Sequence, residues 1–274
     1  MSGATGQPRA QGTVSLSVKT LGTRSVLDGL RQQGSLKALF PRITGGPCQA
    51  IMVNTAGGIT GGDRFELSAT AGTGAALTLS TQASERAYAA QPGETGRLTT
   101  RLRAEAGATL NWLPQETILF DRSALHRRLE VELATDARLL ICEPLVFGRA
   151  AMGETLRDAW FRDRIAIRRA GAPLYTDATQ LSGDIAARLA RPAVADGAGA
   201  MAQVVLVAPE AEAQLDPVRD ILRGTLPESA GASLIGADVL AIRMLAPESH
   251  LLRRALIPVL TRLSRAPLPR CWTI

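Results

Sequence analysis

Short runs in which apolar and polar residues alternate dominate the chain between residues 14 and 169. A period of two places every second side chain on one face of an extended strand, and it does not fit the 3.6-residue period of an amphipathic helix. Glycine, proline, asparagine and aspartate separate the runs. Many short strands joined by turns predict a mainly β framework of the sandwich or stack type. The clearest runs are 14–18, 48–53, 76–80, 97–103 and 125–133.

The pattern changes after residue 191. Segments 201–207 and 238–244 are rich in aliphatic residues and predict two further strands. Segments 210–223 and 247–265 instead place leucine, isoleucine and valine at helical spacing. Packing such a helical face on a sheet buries apolar area worth about 25 cal/mol per Å². We therefore predict two C-terminal helices that cover the β body within one fused domain.

Segment 54–63 (Asn-Thr-Ala-Gly-Gly-Ile-Thr-Gly-Gly-Asp), called the glycine segment below, is the most unusual stretch. Glycine pairs permit a positive φ or the close approach of another group. A phosphate-binding loop would end in Gly-Lys-Ser/Thr, but Asp63 follows here, and a dinucleotide-binding turn would open a helix, whereas segment 64–70 alternates like a strand. A tight turn or bulge between strands is therefore the simplest interpretation. The pairs are Gly57 with Gly58 and Gly61 with Gly62.

Four further segments follow the glycine segment in order. They are 80–85 (Ser-Thr-Gln-Ala-Ser-Glu) with Tyr88, 113–121 (Leu-Pro-Gln-Glu-Thr-Ile-Leu-Phe-Asp), 143–154 (Glu-Pro-Leu-Val-Phe-Gly-Arg-Ala-Ala-Met-Gly-Glu) and 269–272 (Pro-Arg-Cys-Trp). Together these segments resemble the signature of the UreD-type (UreH) urease accessory proteins. The resemblance runs from about residue 14 onwards, so we predict a flexible N-terminal tail at 1–12 and a single UreD-like domain at 13–274.

The resemblance implies a fold and a function. The fold would be an irregular β-helix-like stack of many short strands with two C-terminal α-helices. The function would be that of a non-enzymatic urease maturation factor, which binds the urease structural subunits, a UreF-type helical protein and, through the complex, a UreG-type GTPase. Nickel would pass transiently through a polar interior to the urease active site, and no cofactor would be bound tightly.

Composition excludes several other partners. The net charge is +6, but the basic residues are spread along the chain and mixed with acids, and aromatic residues make up only 4%, so a nucleic-acid partner is not expected. No apolar run reaches 18 residues, and the first residues lack a signal-peptide core, which predicts a cytoplasmic chain without a membrane segment. Cys48, Cys142 and Cys271 are far apart and odd in number, which favours free thiols in a reducing compartment.

Strong metal ligands are scarce. His126 and His250 are the only histidines, and neither lies in a recognisable catalytic motif. A tight site for a transition metal needs several histidine or cysteine ligands close together, so none is expected. Any such metal would be handled weakly, through carboxylates, carbonyls and water.

The polar side chains of the matched segments are therefore the candidate site residues. Glu143 follows the apolar run 139–142, which would carry it to the edge of a buried region, where Arg149 is a plausible partner. Such a pair is as consistent with a structural ion pair as with a functional carboxylate. The candidates for a nickel passage or polar channel are Asp63, Glu143, Glu154, Gln82 and Ser84. The candidates for a structural or partner-binding motif are Gly57, Gly58, Gly61, Gly62, Gln115 and Arg149.

Two other function classes stay open at this point. One is a β-helix-type carbohydrate-active enzyme in which Asp63, Glu143 and Glu154 act as acid and base, although aromatic residues that would line a sugar groove are sparse. The other is an interaction module without any role in metal handling.

Overall fold

The computed structural model describes residues 7–43 and 46–273. Its strands form two large sheets, and the residues of both sheets that face each other share one hydrophobic core. The strands of the first sheet are β1 Gln11–Leu21, β2 Arg24–Gly34, β5 Arg64–Ala71, β8 Gly96–Ala104, β11 Ala124–Leu133, β13 Ala159–Arg169 and β14 Ala172–Gly183. The strands of the second sheet are β3 Leu36–Leu39, β4 Cys48–Asn54, β6 Ala76–Thr81, β7 Glu85–Ala87, β9 Thr109–Trp112, β10 Thr117–Leu119, β12 Arg138–Phe147, β15 Ala200–Val207, β16 Ala230–Ile235 and β17 Val239–Ala246.

The centre of the molecule is a parallel stack. From β4 to β13 the chain returns repeatedly from one sheet to the other, and β5, β8, β11 and β13 are parallel neighbours in the first sheet. In the second sheet β4, β6, β9 and β12 are parallel neighbours in the same way. Antiparallel strands extend each sheet at its ends, for example β2 beside β1 and β15 beside β12. The predicted irregular β-helix-like stack is confirmed.

The second sheet is covered on its outer face by two helices, α2 Ala211–Thr225 and α3 Ser249–Leu263. A short helix, α1 Ile185–Leu189, instead adds its buried residues to the core between the sheets. The longer two, α2 and α3, match the two predicted C-terminal helices, whereas α1 was not predicted. None of the helices in the described part of the chain is long and apolar enough to cross a membrane.

Burial on both faces explains why apolar and polar residues do not alternate along β12. Leu139 and Ile141 point into the core between the sheets, while Leu140 and Cys142 point into the core under α2 and α3. A strand covered on both sides needs apolar residues at successive positions. Glu143 continues the parity of Leu139 and Ile141, and it therefore faces the first sheet.

The predicted N-terminal tail at 1–12 corresponds only in part to the structure. Residues 1–6 lie outside the described residues. β1 begins at Gln11, so the last two residues of the predicted tail belong to the first sheet. Just before it, Arg9 forms an ion pair with Glu94, and the Ala10 N–H donates to Asp63. The described part of this segment is therefore attached to the body of the fold. The assignment of 13–274 to a single domain stays a prediction.

Candidate functional site

A cavity of about 180 Å³ lies between the two sheets and is called the inter-sheet cavity below. Strands of the first sheet supply Leu67, Thr100 and Leu129, and strands of the second sheet supply Met52 and Trp112. The lining is apolar on much of its area but includes several charged and amide side chains. The polar residues that line it are Asn54, Thr81, Gln82, Ser84, Glu85, Arg86, Thr100, Gln115, Thr117, Arg127, Arg128 and Glu143.

Arg127 is the cation at the centre of this lining. It lies directly opposite Asp163 in the register of β11 and β13, and its Nη2 donates to Asp163 Oδ2 at 2.7 Å while its Nε donates to Oδ1 at 3.1 Å. Its Nη1 lies 2.7 Å from Glu143 Oε2 and donates to Thr117 Oγ1 at 3.1 Å. Trp112 completes the group, because its Nε1 donates to Glu143 Oε1 at 2.7 Å. These five residues are called the buried arginine network below.

The network leaves one negative charge uncompensated. It contains two carboxylates and one guanidinium, whose side chains are only 5% to 11% exposed. Burial raises the pKa of Glu143, and Arg127 together with the Trp112 hydrogen bond opposes that rise. Burial alone would lower the pKa of Arg127, but the Asp163 and Glu143 carboxylates raise it, so the guanidinium stays charged. This excess is confined to the buried network, because two exposed cations, Arg86 and Arg128, also line the cavity.

The prediction that Arg149 partners Glu143 is wrong. Gly148, with φ of 80°, turns the chain away from β12 before Arg149 is reached. Arg149 instead makes two hydrogen bonds of 3.0 Å to Glu154, and its guanidinium lies 4.1 Å from the centre of the Phe120 ring. The Arg149 partner lowers the pKa of Glu154, so this acid is held as a carboxylate in a loop ion pair outside the inter-sheet cavity.

Glu85 is a second acid of the cavity that the sequence analysis did not select. Asn54 Nδ2 donates to both of its carboxylate oxygens, at 3.3 and 3.1 Å. Burial raises the pKa of Glu85, and the Asn54 hydrogen bond opposes the rise. Glu85 and Glu143, called the cavity glutamates below, thus share one cavity and the same direction of pKa shift.

Two predicted channel residues, Gln82 and Ser84, lie where the cavity approaches the surface. Gln82 is exposed and Ser84 is half-buried, and both line the cavity. The Ser84 hydroxyl donates to Glu116 Oε2 at 3.3 Å. Together with the cavity glutamates they provide polar groups from the surface inward to the buried arginine network.

Gln115 belongs to the same wall and is fixed by the C-terminal part of the chain. Arg253 on α3 donates to Gln115 Oε1 at 2.8 Å and to the Cys271 carbonyl at 2.9 Å, and it lies 4.9 Å from the centre of the Trp272 ring. Trp272 is fully buried and donates from Nε1 to the Leu113 carbonyl at 2.9 Å. Segments 113–121 and 269–272 therefore form one structural unit behind the cavity.

The glycine segment forms two successive turns between β4 and β5, separated by Ile59, which makes a β-bridge to Ala87, so it is a turn region as its simplest interpretation predicted. Gly57 and Gly62 have φ values of 81° and 84°, which a residue with a side chain rarely adopts. A Cβ on Gly58 would overlap the Tyr88 ring, and a Cβ on Gly61 would lie 2.7 Å from Glu94 Cβ. The segment therefore needs glycine for backbone geometry and close packing.

Asp63 closes the turn at residues 60–63, the second turn of the glycine segment. Its Oδ2 accepts from the Thr60 N–H at 2.8 Å and its Oδ1 accepts from the Ala10 N–H at 2.7 Å. Asp63 is buried and is absent from the cavity lining. Its carboxylate therefore connects the turn to the start of β1, and the structure gives it a structural setting rather than a place in a channel.

The arrangement does not assemble an active site from the predicted acids. Glu143 lies in the inter-sheet cavity, Glu154 in a loop ion pair, and Asp63 in the glycine turn. Glycosidases need two carboxyl groups that face each other across one bond of the substrate. Neither histidine supplies the missing catalytic group beside Glu143, because His126 and His250 are both absent from the cavity lining. The geometry therefore gives no support to the carbohydrate-active alternative.

The donors of the cavity are hard oxygen ligands. Within residues 7–43 and 46–273, no group of three or more His, Cys, Asp or Glu side chains is placed to hold a metal ion. The cavity offers carboxylate, amide and hydroxyl oxygens, which bind nickel more weakly than imidazole or thiolate ligands do. A divalent cation that entered would also compete with Arg127 for Glu143. The weak oxygen ligands and the competition with Arg127 both favour a short residence time of a cation in the cavity.

Sequence reasoning missed Glu85, Arg127 and Asp163, although a signal for two of them was present. Arg127 occupies the apolar parity of β11, between Leu125 and Leu129. Asp163 occupies the apolar parity of β13 in the same way. A charged residue at an inward position of an alternating strand marks a buried polar site.

Comparison with known proteins agrees with the motifs. The family model described as UreD urease accessory protein matches residues 10–273. A urease accessory protein UreD from Ruegeria pomeroyi is 55% identical over 94% of this chain and 99% of its own length. Proteins of the same name from Roseobacter denitrificans and Brucella suis are 52% and 44% identical, over 98% and 97% of this chain and 96% and 95% of their own lengths. The chain belongs to the UreD family of urease accessory proteins.

Proposed function

We propose that this chain is a non-catalytic urease maturation factor that acts in the cytoplasm and helps deliver nickel to the urease metallocentre. Its partners in this proposal are the urease structural subunits, a UreF-type protein and, through the complex, a UreG-type GTPase. Family membership over nearly the whole chain supports the general role in urease maturation. The observation that supports the nickel step is the inter-sheet cavity, in which Glu85 and Glu143 offer carboxylate oxygens beside the buried arginine network.

The cavity has the chemistry of a passage for a divalent cation. Gln82 and Ser84 would receive the ion near the surface, and the cavity glutamates would then bind it through oxygen atoms. Arg127 would limit the strength of binding, because its guanidinium already neutralises part of the charge on Glu143. A site that bound nickel tightly would retain the ion, so weak ligands with fast exchange suit transfer better than storage.

The entry of a cation would change the protonation of the cavity. Burial raises the pKa of Glu85 and of Glu143, so each carboxyl group holds a proton more readily than an exposed glutamate. A bound dication favours the charged form and would release those protons. Replacing two protons with one dication would leave the net charge of the cavity unchanged.

The direct test is to produce the urease structural subunits with the other accessory proteins, in the presence and in the absence of this chain. We expect both the urease activity and the nickel content per urease to be much lower without the chain. Equal nickel loading in the two preparations would reject the role in maturation.

A second experiment separates the passage from assembly. The variants Glu85→Gln and Glu143→Gln keep the side-chain volume but remove the charge, and we expect each to lower nickel loading while the complex with the UreF-type protein still forms. Glu66→Gln is the matched control, because this acid is exposed on the first sheet. If the cavity variants load urease as well as Glu66→Gln does, nickel does not pass through the cavity.

A further inference from the structure

One end of the molecule carries most of the exposed apolar side chains. β2 is the last strand of the first sheet and β3 is the last strand of the second, so both sheets end here. Of the nine large apolar side chains that are exposed in the described residues, five lie between residues 21 and 43, with exposures from 38% to 65%. Such a concentration is typical of an interaction site rather than of scattered surface residues. The five are Leu21, Leu27, Leu30, Leu39 and Ile43.

The backbone of β2 is also open to a further strand. In an antiparallel pair, alternate residues bond the partner strand and the others direct their N–H and C=O groups away from it. The Ser35 N–H donates to the Gln11 carbonyl at 2.9 Å, and the register shows that Arg31 is a bonded position while Leu30 and Gln32 are not. The register shift opposite Asp28 ends the regular part of the edge. The segment 29–33 therefore presents unpaired backbone groups outward.

The charge of this edge restricts what can bind it. Lys19 and Asp28 form an ion pair of 2.7 Å and cancel each other. Arg24, Arg31 and Lys37 form no ion pair with any described residue, so the edge is positively charged. A second copy of the chain paired along the same edge would bring like charges together, which destabilises a sheet. An acidic partner is favoured instead.

We propose that the β2 edge binds an extended, acidic segment of the urease apoprotein as an added β-strand. Backbone hydrogen bonds along 29–33 would supply affinity, Leu27 and Leu30 would contact apolar side chains of the segment, and Arg24 and Arg31 would contact its carboxylates. The proposal rests on the proposed function only for the identity of the protein that carries the segment. The openness and the charge of the edge are independent of it.

The test is the affinity of the full-length chain for the purified urease apoprotein, measured at two salt concentrations. Leu30→Pro removes the outward N–H, and its matched control Leu30→Thr removes the apolar side chain but keeps the N–H. We expect Leu30→Pro to weaken binding about tenfold or more, a change of about 1.4 kcal/mol, and Leu30→Thr to weaken it less. The double variant Arg24→Glu/Arg31→Glu changes only exposed side chains. This variant should weaken binding to the apoprotein at least as much as Leu30→Pro does, and the affinity should depend less on the salt concentration.

The outcomes separate this inference from the proposed function. If the wild-type chain binds the apoprotein and both Leu30→Pro and the charge-reversal variant bind equally well, the edge is not the docking site, although the maturation role stands. If the variants lose the UreF-type protein but keep the apoprotein, the proposed occupant is wrong. If the wild-type chain neither binds the apoprotein nor promotes its loading, the proposed function itself fails. If Leu30→Pro does not fold, the affinity of the charge-reversal variant for the apoprotein decides whether the β2 edge is the docking site.

Discussion

Replacing Arg127 with methionine is the most demanding test of the buried arginine network. Methionine fills a similar volume but removes the charge that lies 2.7 Å from both Glu143 and Asp163. Removing one partner from a buried ion pair costs about 3–5 kcal/mol, because the remaining charge has lost its compensation. The side chains are at most 11% exposed, so solvent screens little of this effect. We expect Arg127→Met to lower the free energy of unfolding by about that amount at neutral pH.

The loss should depend on pH in a defined direction. Burial already raises the pKa of Glu143, and without the guanidinium that opposes this rise its pKa in the folded state lies further above that of the unfolded chain. A raised pKa in the folded state gives stability that is present below the unfolded pKa, near pH 4, and is lost as the pH rises through the folded pKa. The variant should therefore approach wild-type stability in acid and fall furthest below it at alkaline pH.

Chemical denaturation of the purified chain at several pH values measures this effect. Arg127→Met/Glu143→Gln/Asp163→Asn removes both charges as well as their partner, and it should recover a large part of the lost stability. Arg128→Met is the matched control, since Arg128 is exposed on the same strand. A loss of stability that is below about 1 kcal/mol, or that does not depend on pH, would mean that the carboxylates are solvated and that the network is not a buried ion pair.

Three further predictions concern the turn, the C-terminal segment and the cavity. Gly58→Ala should destabilise the chain by about 1–3 kcal/mol in denaturation experiments, since its Cβ would overlap the Tyr88 ring, whereas Gly231→Ala, with open space around it, should be nearly neutral. Trp272→Phe keeps the buried ring but removes the indole N–H, and it should lower stability by about 1–2 kcal/mol; no change would mean that the hydrogen bond behind the cavity is unimportant. Nickel loading of urease by the wild-type complex should fall as the pH is lowered, because burial raises the pKa of the cavity glutamates, and this dependence should be weaker in the double variant that replaces both with glutamine.

The strands were predictable because alternation is a local property of the sequence. The run 125–133 lies within β11, and the segments with helical spacing correspond to α2 and α3. The division of the strands between two sheets is not a local property. It was not predicted; the family resemblance implied only a β-helix-like stack, which the parallel neighbours of the central strands confirm.

The site was predictable only in part. The motif residues Gln82, Ser84, Gln115 and Glu143 do line one cavity. The ion pairs were not predictable, because the pairing of Arg127 with Asp163 depends on the register of two strands that are 36 residues apart. Proximity in sequence favoured Arg149 as the partner of Glu143, but a glycine turn separates them.

Asp63 and Glu154 were grouped with the channel because they lie in segments that match the family. Asp63 follows four glycines, and the backbone N–H groups of the turn and of Ala10 occupy its carboxylate. Glu154 lies five residues after Arg149 and pairs with it. In both positions the carboxylate binds groups that are close in the fold, backbone N–H groups for Asp63 and a guanidinium for Glu154. A carboxylate in a family motif therefore need not line a functional cavity.

The nickel content of urease matured with the Glu85→Gln/Glu143→Gln chain shows whether nickel passes through the inter-sheet cavity. It should be measured on complexes shown to contain the same proportions of all subunits as the wild-type complex. We expect a clear loss of nickel per urease although assembly is unchanged. Wild-type nickel content in such a complex would contradict the claim that the cavity between the sheets carries the ion.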